Sequence, residues 1–174
     1  MSSVSSTCRV LLVDDNVAIH ADLRKVLASQ VRSSALSELE QSLFGKTEPL
    51  PAQPPFEATY ADNGEDACRK LTRAGLDGHP FTIAVIDMRM PGWDGVETAE
   101  QLLHLQPDLE IAITSAYMDY SWNEVIARLQ RPSLRLIPKP WSSGKVLSVL
   151  HELRTRVLSR QTTVERQRAG SRVQ

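Results

Sequence analysis

The chain has little cysteine, almost no net charge and no long hydrophobic run. Its two cysteines, Cys8 and Cys68, exclude a disulfide framework and lack the spacing of a zinc site. A net charge of -1 provides no attraction to nucleic acid or to an anionic membrane. The longest apolar runs are far shorter than the roughly 20 residues of a membrane helix. From the charge and the short apolar runs we expect no nucleic-acid or membrane partner. Because no basic and apolar leader opens the sequence, we also expect a cytoplasmic protein.

The composition is that of one globular domain with two unusual segments. Of 174 residues, 41% are hydrophobic and 24% are charged, which is enough apolar material for one core. We expect the domain to cover residues 8–158, with an insertion at about 31–55 and a polar, disordered tail over 159–174. The insertion has leucines at helical spacing followed by the proline-rich run TEPLPAQPPF. It is either a tolerated surface loop or a contact with a partner or a second copy of the chain.

Strand and helix patterns alternate along the sequence. Short apolar runs predict strands at 9–13, 56–61, 83–87, 109–114 and 134–137, each followed by a helical pattern, the last over about 145–160. Five successive β-α units predict a doubly wound parallel sheet in a three-layer α/β sandwich. We expect Asp94 and Ser121 to be N-caps of the third and fourth helices, and Gly75 to be the C-cap of the second.

Reactive side chains lie at the ends of the strands whose carboxyl ends should meet at one edge of this sheet. They are Asp14 and Asp15, Asp87, Ser115, and Lys139. Sites in such sheets lie beyond the carboxyl ends of the strands. Three carboxylates in one pocket repel each other unless a cation neutralises them, and hard oxygen ligands suit Mg²⁺. A lysine and a hydroxyl can hold a phosphoryl group, and a carboxylate can accept phosphate covalently.

Each of these residues also has a structural interpretation. Asp14 and Asp15 could cap the first helix, and a single lysine such as Lys139 is usually solvated. We interpret Thr114, next to Ser115, as a strand-packing residue. The acidic pair together with the acid and the lysine at neighbouring strand ends favours a functional site.

Four segments resemble the receiver domain of two-component response regulators. They are the acidic pair in VLLVDDN, the block DMRMPGWDG, the segment SAY after the fourth strand and the KP of IPKPW. They occur in this order at the ends of the first, third, fourth and fifth predicted strands. The resemblance covers about residues 8–158 and implies the CheY-like, flavodoxin-like fold with five parallel strands.

The resemblance implies a metal-dependent phosphoacceptor. Asp87 would accept the phosphoryl group and also contact Mg²⁺. Asp15 would bind the ion directly, and Asp14 directly or through water. The backbone carbonyl of Arg89 would be a further ligand.

The resemblance also implies the remaining site residues and the partners. Ser115 would be the switch hydroxyl, because it directly precedes Ala116, and Lys139 would contact the phosphoryl group. The Lys139–Pro140 bond would be cis. Leu136 occupies the position of the usual aromatic switch residue. A sensor histidine kinase or a phosphotransfer protein would be the donor, and an unidentified output protein would recognise the modified state.

Two other functions compete with this interpretation. The first is an Mg²⁺-dependent phosphatase with an Asp nucleophile, whose general acid would lie two residues after Asp87, where this chain has Arg89. A guanidinium does not donate a proton usefully, so we expect no enzyme beyond slow self-dephosphorylation. The second is an interaction module that needs no phosphorylation. Such a module has no need of Asp87 and Lys139.

Overall fold

The structure is a computed structural model that describes residues 8–28, 56–116 and 121–170. Its strands are β1 Cys8–Val13, β2 Phe56–Ala61, β3 Ile83–Asp87, β4 Glu110–Ser115 and β5 Arg135–Pro138. Its helices are α1 over 17–28, α2 Gly64–Leu76, α3 Gly95–Leu105, α4 Trp122–Leu129 and α5 Ser143–Gly170. The insertion predicted at 31–55 lies outside the described residues. No helix among those described is long and apolar enough to cross a membrane.

The five strands form one parallel sheet in the order β2-β1-β3-β4-β5. This confirms the predicted fold class. All strands point the same way, so β1, β3, β4 and β5 end at one side of the sheet, which we call the carboxyl edge. The opposite side, where Glu110 and Arg135 begin β4 and β5, is the amino edge. From β1 the chain first adds β2 on one side and then crosses back to add β3, β4 and β5 on the other side. The predicted site therefore lies at the topological switch point between β1 and β3.

Two apolar layers cover the faces of the sheet. Leu11 and Ile86 face α2, α3 and α4, whereas Leu12 and Val85 face α1 and α5. Successive residues of a strand point to opposite faces, so an unbroken apolar run is what a strand covered on both sides requires. Full burial of one such side chain contributes roughly 1.5–3 kcal/mol, so packing on both faces stabilises the strands that carry the site.

The end of α2 differs from the prediction. Gly75 is not the C-cap; it lies inside the helix, and the C-cap is Asp77. Gly78 follows with a φ of 76°. Its N–H donates to the carbonyl of Gly75, and the N–H of His79 donates to the carbonyl of Ala74. This is the Schellman arrangement, and it needs a left-handed residue that Gly78 supplies.

Helix α5 is longer than predicted. It runs to Gly170 rather than to about residue 160, so residues 159–170 of the predicted tail are helical in the structure. Arg160, at the predicted end of the helix, forms an ion pair with Glu110 at the start of β4. The hydroxyls of Thr162 and Thr163 donate to backbone carbonyls four residues earlier. Residues 171–174 lie outside the described part, and the boundaries of the domain remain a prediction.

The N-caps of α3 and α4 have different chemistry. Asp94 caps α3 as predicted, accepting from the backbone N–H groups of Val96 and Glu97, and the Glu97 side chain completes a capping box. Ser121 occupies the predicted N-cap of α4, but its side chain makes no capping hydrogen bond. The start of α3 is therefore fixed by side chains, whereas the start of α4 is not.

Candidate functional site

The acidic pair lies where β1 leaves the sheet. Asp14 is buried, and its backbone N–H continues the sheet by donating to the carbonyl of Ala61 at 3.1 Å. Its Oδ1 accepts from the N–H of Asn16 at 2.9 Å. The side chain of Asn16 accepts from the N–H of Ala18 at 2.9 Å, so Asn16 is the residue that caps α1. This leaves Asp15, which is exposed, for the site rather than for the helix.

Asp87 ends β3 in a tightly packed position. The four residues before it are buried, so the strand holds its backbone firmly. The start of α3 packs directly against it: a Cβ at Gly95 would lie 2.5 Å from the carbonyl oxygen of Asp87 and 2.8 Å from the Cα of Met88. The turn between them uses Gly92 at a φ of 82°. These glycines allow a strand and a helix to meet immediately behind the carboxylate.

Lys139 brings the acids together. Its backbone N–H donates to the carbonyl of Ser115 at 2.6 Å, and the Lys139–Pro140 bond is cis, as predicted. Its Nζ lies 2.8 Å from Oδ1 of Asp87 and 3.1 Å from Oδ2 of Asp14. The ammonium also lies 5.1 Å from the centre of the Trp141 ring. The lysine is therefore a member of the site and not a solvated side chain.

Thr114 belongs to the site, which the sequence interpretation missed. Its hydroxyl donates to Oδ1 of Asp87 at 3.2 Å, so strand packing does not account for it alone. Asp87 and Thr114 are directly paired in the sheet and therefore point to the same face. The sequence feature that could have indicated this contact is that Asp87 and Thr114 both lie at the ends of predicted strands. Ser115 lies next to it, buried at the last position of β4, and its predicted role as the switch hydroxyl stays a prediction.

Burial and charge act against each other at this edge. Burial raises the pKa of Asp87 and the charge of Asp14 adds to this, although the hydrogen bonds of Lys139 and Thr114 oppose it. Burial also lowers the pKa of Lys139, but the hydrogen bond to Asp87 and the charges of Asp87 and Asp14 outweigh it and leave the pKa raised. Asp87 and Lys139 therefore each favour the charged form of the other.

The acids outnumber the base. Asp14, Asp15 and Asp87 each offer a carboxylate oxygen, and these atoms lie within 4.8 Å of one another. Lys139 supplies a single positive charge against three carboxylates. Such a cluster can take up a cation with hard-ligand preferences. Arg89 is exposed in the turn after Asp87, and the metal contact expected from its carbonyl remains a prediction.

Comparisons with known proteins give two curated relatives. The chain is similar to the response regulator receiver protein CpdR of Brucella abortus, with 29% identity over 68 residues, which is 39% of this chain and 52% of that protein. It is also similar to a protein-glutamate methylesterase/protein-glutamine glutaminase of Halalkalibacterium halodurans, with 27% identity over 151 residues, or 87% of this chain. The chain spans 35% of that protein's length. No protein-family model matches the chain.

A solved structure agrees with the sheet topology. The chain resembles a CheY-like response regulator receiver domain protein from Methanospirillum hungatei with a TM-score of 0.62 and 17% identity. The similarity covers 89% of this chain and 99% of that one. The resemblance that the four sequence motifs indicated is thus confirmed, and the chain has the fold of a CheY-like receiver domain.

Proposed function

We propose that the chain is the phosphoacceptor receiver of a two-component phosphorelay, in which Asp87 takes a phosphoryl group with the help of Mg²⁺. One observation carries the proposal. Asp87 ends a buried strand within hydrogen-bond distance of Lys139 and beside Asp14 and Asp15. The receiver fold supports a phosphoacceptor that is not itself an enzyme.

The side chains at the carboxyl edge fit a magnesium ion. Mg²⁺ takes oxygen ligands, keeps several waters and is often bound by one or two carboxylates. Asp14, Asp15 and Asp87 supply the carboxylate oxygens, and the carbonyl of Arg89 would supply another ligand. When bound, Mg²⁺ would neutralise charge on the phosphoryl oxygens. The excess of acid over base gives the ion an electrostatic reason to bind.

The transfer itself uses groups of the chain in distinct roles. A carboxylate oxygen of Asp87 forms a bond to phosphorus as the bond from phosphorus to the donor breaks, and the electron pair of that bond leaves with the donor. Lys139 is near enough to donate to a phosphoryl oxygen, because its ammonium already contacts Asp87. Ser115 would then turn its hydroxyl to the phosphoryl group. The modified state would favour an altered surface over α4, β5 and α5 for the output protein.

The partners and location follow from this chemistry. The donor would be a sensor histidine kinase or a phosphotransfer protein. The thiols of Cys8 and Cys68 are free, which suits the reducing cytoplasm in which such donors act. Contact with a second copy through the insertion at 31–55 remains a separate hypothesis.

The competing functions have less support. One relative has a methylesterase and glutaminase name, but the chain spans 35% of it, so we propose no such activity here. A phosphatase would need an acid where Arg89 stands. An interaction module without phosphorylation would leave unexplained why Lys139 joins Asp14 to Asp87. We therefore propose at most slow self-dephosphorylation.

A labelling experiment tests the proposal. Acetyl phosphate with Mg²⁺ should add one phosphoryl group to the wild type, read by intact-mass spectrometry, and Asp87→Asn should take none. Glu110→Gln is a matched control, because Glu110 is also a buried acid whose pKa burial raises, at the opposite edge of the sheet. It should label like the wild type. Equal labelling of Asp87→Asn would refute the assignment.

A further inference from the structure

Thr114 and Lys139 hold the same oxygen of Asp87. The Thr114 hydroxyl donates to Oδ1 at 3.2 Å, and the Lys139 ammonium donates to it at 2.8 Å. Among the residues that the structure describes, no donor contacts the second oxygen, Oδ2. One oxygen is thus fixed by two donors, and the other is left to bond to phosphorus.

The two donors differ in mobility. Lys139 has a long side chain that can move from Oδ1 to a phosphoryl oxygen. Thr114 has a β-branched side chain with few rotamers, and it is 3% exposed on a strand paired directly with β3. Its hydroxyl would therefore stay at Oδ1 after a phosphoryl group had arrived.

We infer that Thr114 is a positioning residue that holds Oδ1 of Asp87 and shortens the lifetime of the aspartyl phosphate. The inference rests on the proposed function, in which Asp87 is the acceptor. It assigns Thr114 to the carboxyl end of the acyl phosphate, whereas Ser115 is expected at the phosphoryl end. The two adjacent hydroxyls thus have separate tasks.

The physical reason is the charge that Oδ1 gains during hydrolysis. In the acyl phosphate Oδ1 is a neutral carbonyl oxygen. When water attacks phosphorus, the bond from Oδ2 to phosphorus breaks, its electron pair returns to the carboxylate, and the proton of the water passes to phosphate or solvent. A hydrogen bond to a charged acceptor is about twice as strong as one to a neutral acceptor. Thr114 therefore stabilises the departing carboxylate more than the acyl phosphate, and hydrolysis is faster with it.

The test compares three threonine variants. Thr114→Val removes the O–H donor but keeps the branched shape that suits a strand, and Thr114→Ser keeps a hydroxyl. Thr98→Val is the matched control: Thr98 is also buried, and its Oγ1 has no hydrogen-bond partner within the described residues. Each protein is labelled with acetyl phosphate and Mg²⁺, the donor is removed by desalting, and the decay of the labelled species is followed by intact mass.

Thr114→Val should keep its label about five to ten times longer than the wild type, a change of about 1–1.4 kcal/mol in barrier. Thr114→Ser and Thr98→Val should decay within about twofold of the wild type. Thermal unfolding should show that the valine variants remain folded. If Thr114→Val fails to fold, Thr114→Ala removes the same donor and should show the same slow decay.

The outcomes separate this inference from the proposed function. If the wild type takes no phosphoryl group, both the proposed function and the role of Thr114 are refuted. A wild type that labels normally, with Thr114→Val decaying at the same rate, overturns only the role of Thr114. Equal slowing in Thr98→Val would assign the effect to packing and also overturn it. So would a Thr114→Val protein that takes no label, since the hydroxyl would then serve transfer and not lifetime.

Discussion

Asp87 and Glu110 are buried acids at opposite edges of the same sheet, on neighbouring strands. Asp87 is 8% exposed and Glu110 is 4% exposed, and burial raises the pKa of both. Each contacts a cation that approaches from a later element, Lys139 for Asp87 and Arg160 for Glu110. Burial and a basic partner therefore do not distinguish a functional acid from a structural one.

The surrounding charge does distinguish them. At the amino edge, positive charge from Arg131, Arg135 and Arg160 favours the ionised form of Glu110. Arg135 also donates to Oε1 of Glu152 in α5, from Nε at 2.8 Å and from Nη2 at 2.5 Å. There the bases outnumber the acids, and the pairs join the sheet to α5. At the carboxyl edge three acids surround one lysine, which leaves a site for a cation and a phosphoryl group to complete.

The largest expected effect is on metal binding. Asp15→Ala removes a carboxylate from a site with few protein ligands, so we expect Mg²⁺ affinity to fall about a hundredfold, or about 2.7 kcal/mol. Calorimetric titration measures it. Glu152→Gln removes an acid from the amino edge and should leave the affinity unchanged. An unchanged affinity in Asp15→Ala would mean that the excess of acid at the carboxyl edge does not serve a metal.

The next effect is on stability at the amino edge. Arg160→Met leaves Glu110 buried without its closest cation, and we expect a loss of about 1.5 kcal/mol, moderated because the Arg160 side chain is 42% exposed. Urea unfolding measures the loss. Arg73→Met breaks the exposed pair with Asp77 and should change stability by less than about 0.5 kcal/mol. Similar losses for the two variants would show that burial of Glu110 adds nothing to the pair. Phosphoryl labelling should be normal in both.

The smallest effect is on the pH dependence of stability. The pKa of Glu110 is raised by burial from its ordinary value of 4.5. The folded state therefore holds a proton that the unfolded state has released, so stability falls as pH rises from 4.5 to the raised pKa. In Glu110→Gln this fall in the free energy of unfolding, which we expect to be less than about 1 kcal/mol across that window, should be absent. Unfolding curves measured from pH 4 to 7 would reveal it, and a slope identical to that of the wild type would contradict the burial effect.

The elements were predictable wherever local pattern and turn chemistry agreed. The predicted bounds of β2 and β3 match the structure, because each strand pattern is closed by turn residues. The end of α2 was not predictable from Gly75 alone. A helix continues through a glycine until a left-handed residue stops it, and Gly78 is that residue. The extension of α5 to Gly170 was not predictable either, because the residues after Arg160 are polar and carry no apolar periodicity.

The site was predictable in its members but not in its bonds. Asp14, Asp87 and Lys139 could be chosen because each lies at the end of a strand, where apolar residues change abruptly to polar ones. Thr114 was misread because its sequence neighbours place it in a strand, and nothing local says which residue of β3 lies beside it. That depends on the register of the two strands. Because side chains alternate with a period of two, a shift by two residues leaves the apolar pattern unchanged, so the pattern does not determine the register.

The amino-acid sequence by itself determined the order of elements and the residues at the strand ends. Both depend on interactions within a few residues, namely apolar periodicity, capping and turns. The tertiary structure decided which atoms meet: Thr114 reaches Asp87 across 27 residues, Lys139 reaches it across 52, and Lys139 reaches Asp14 across 125. A hydrogen bond tolerates only a few tenths of an ångström, and only the packing of the strands and the register of the sheet position atoms so closely.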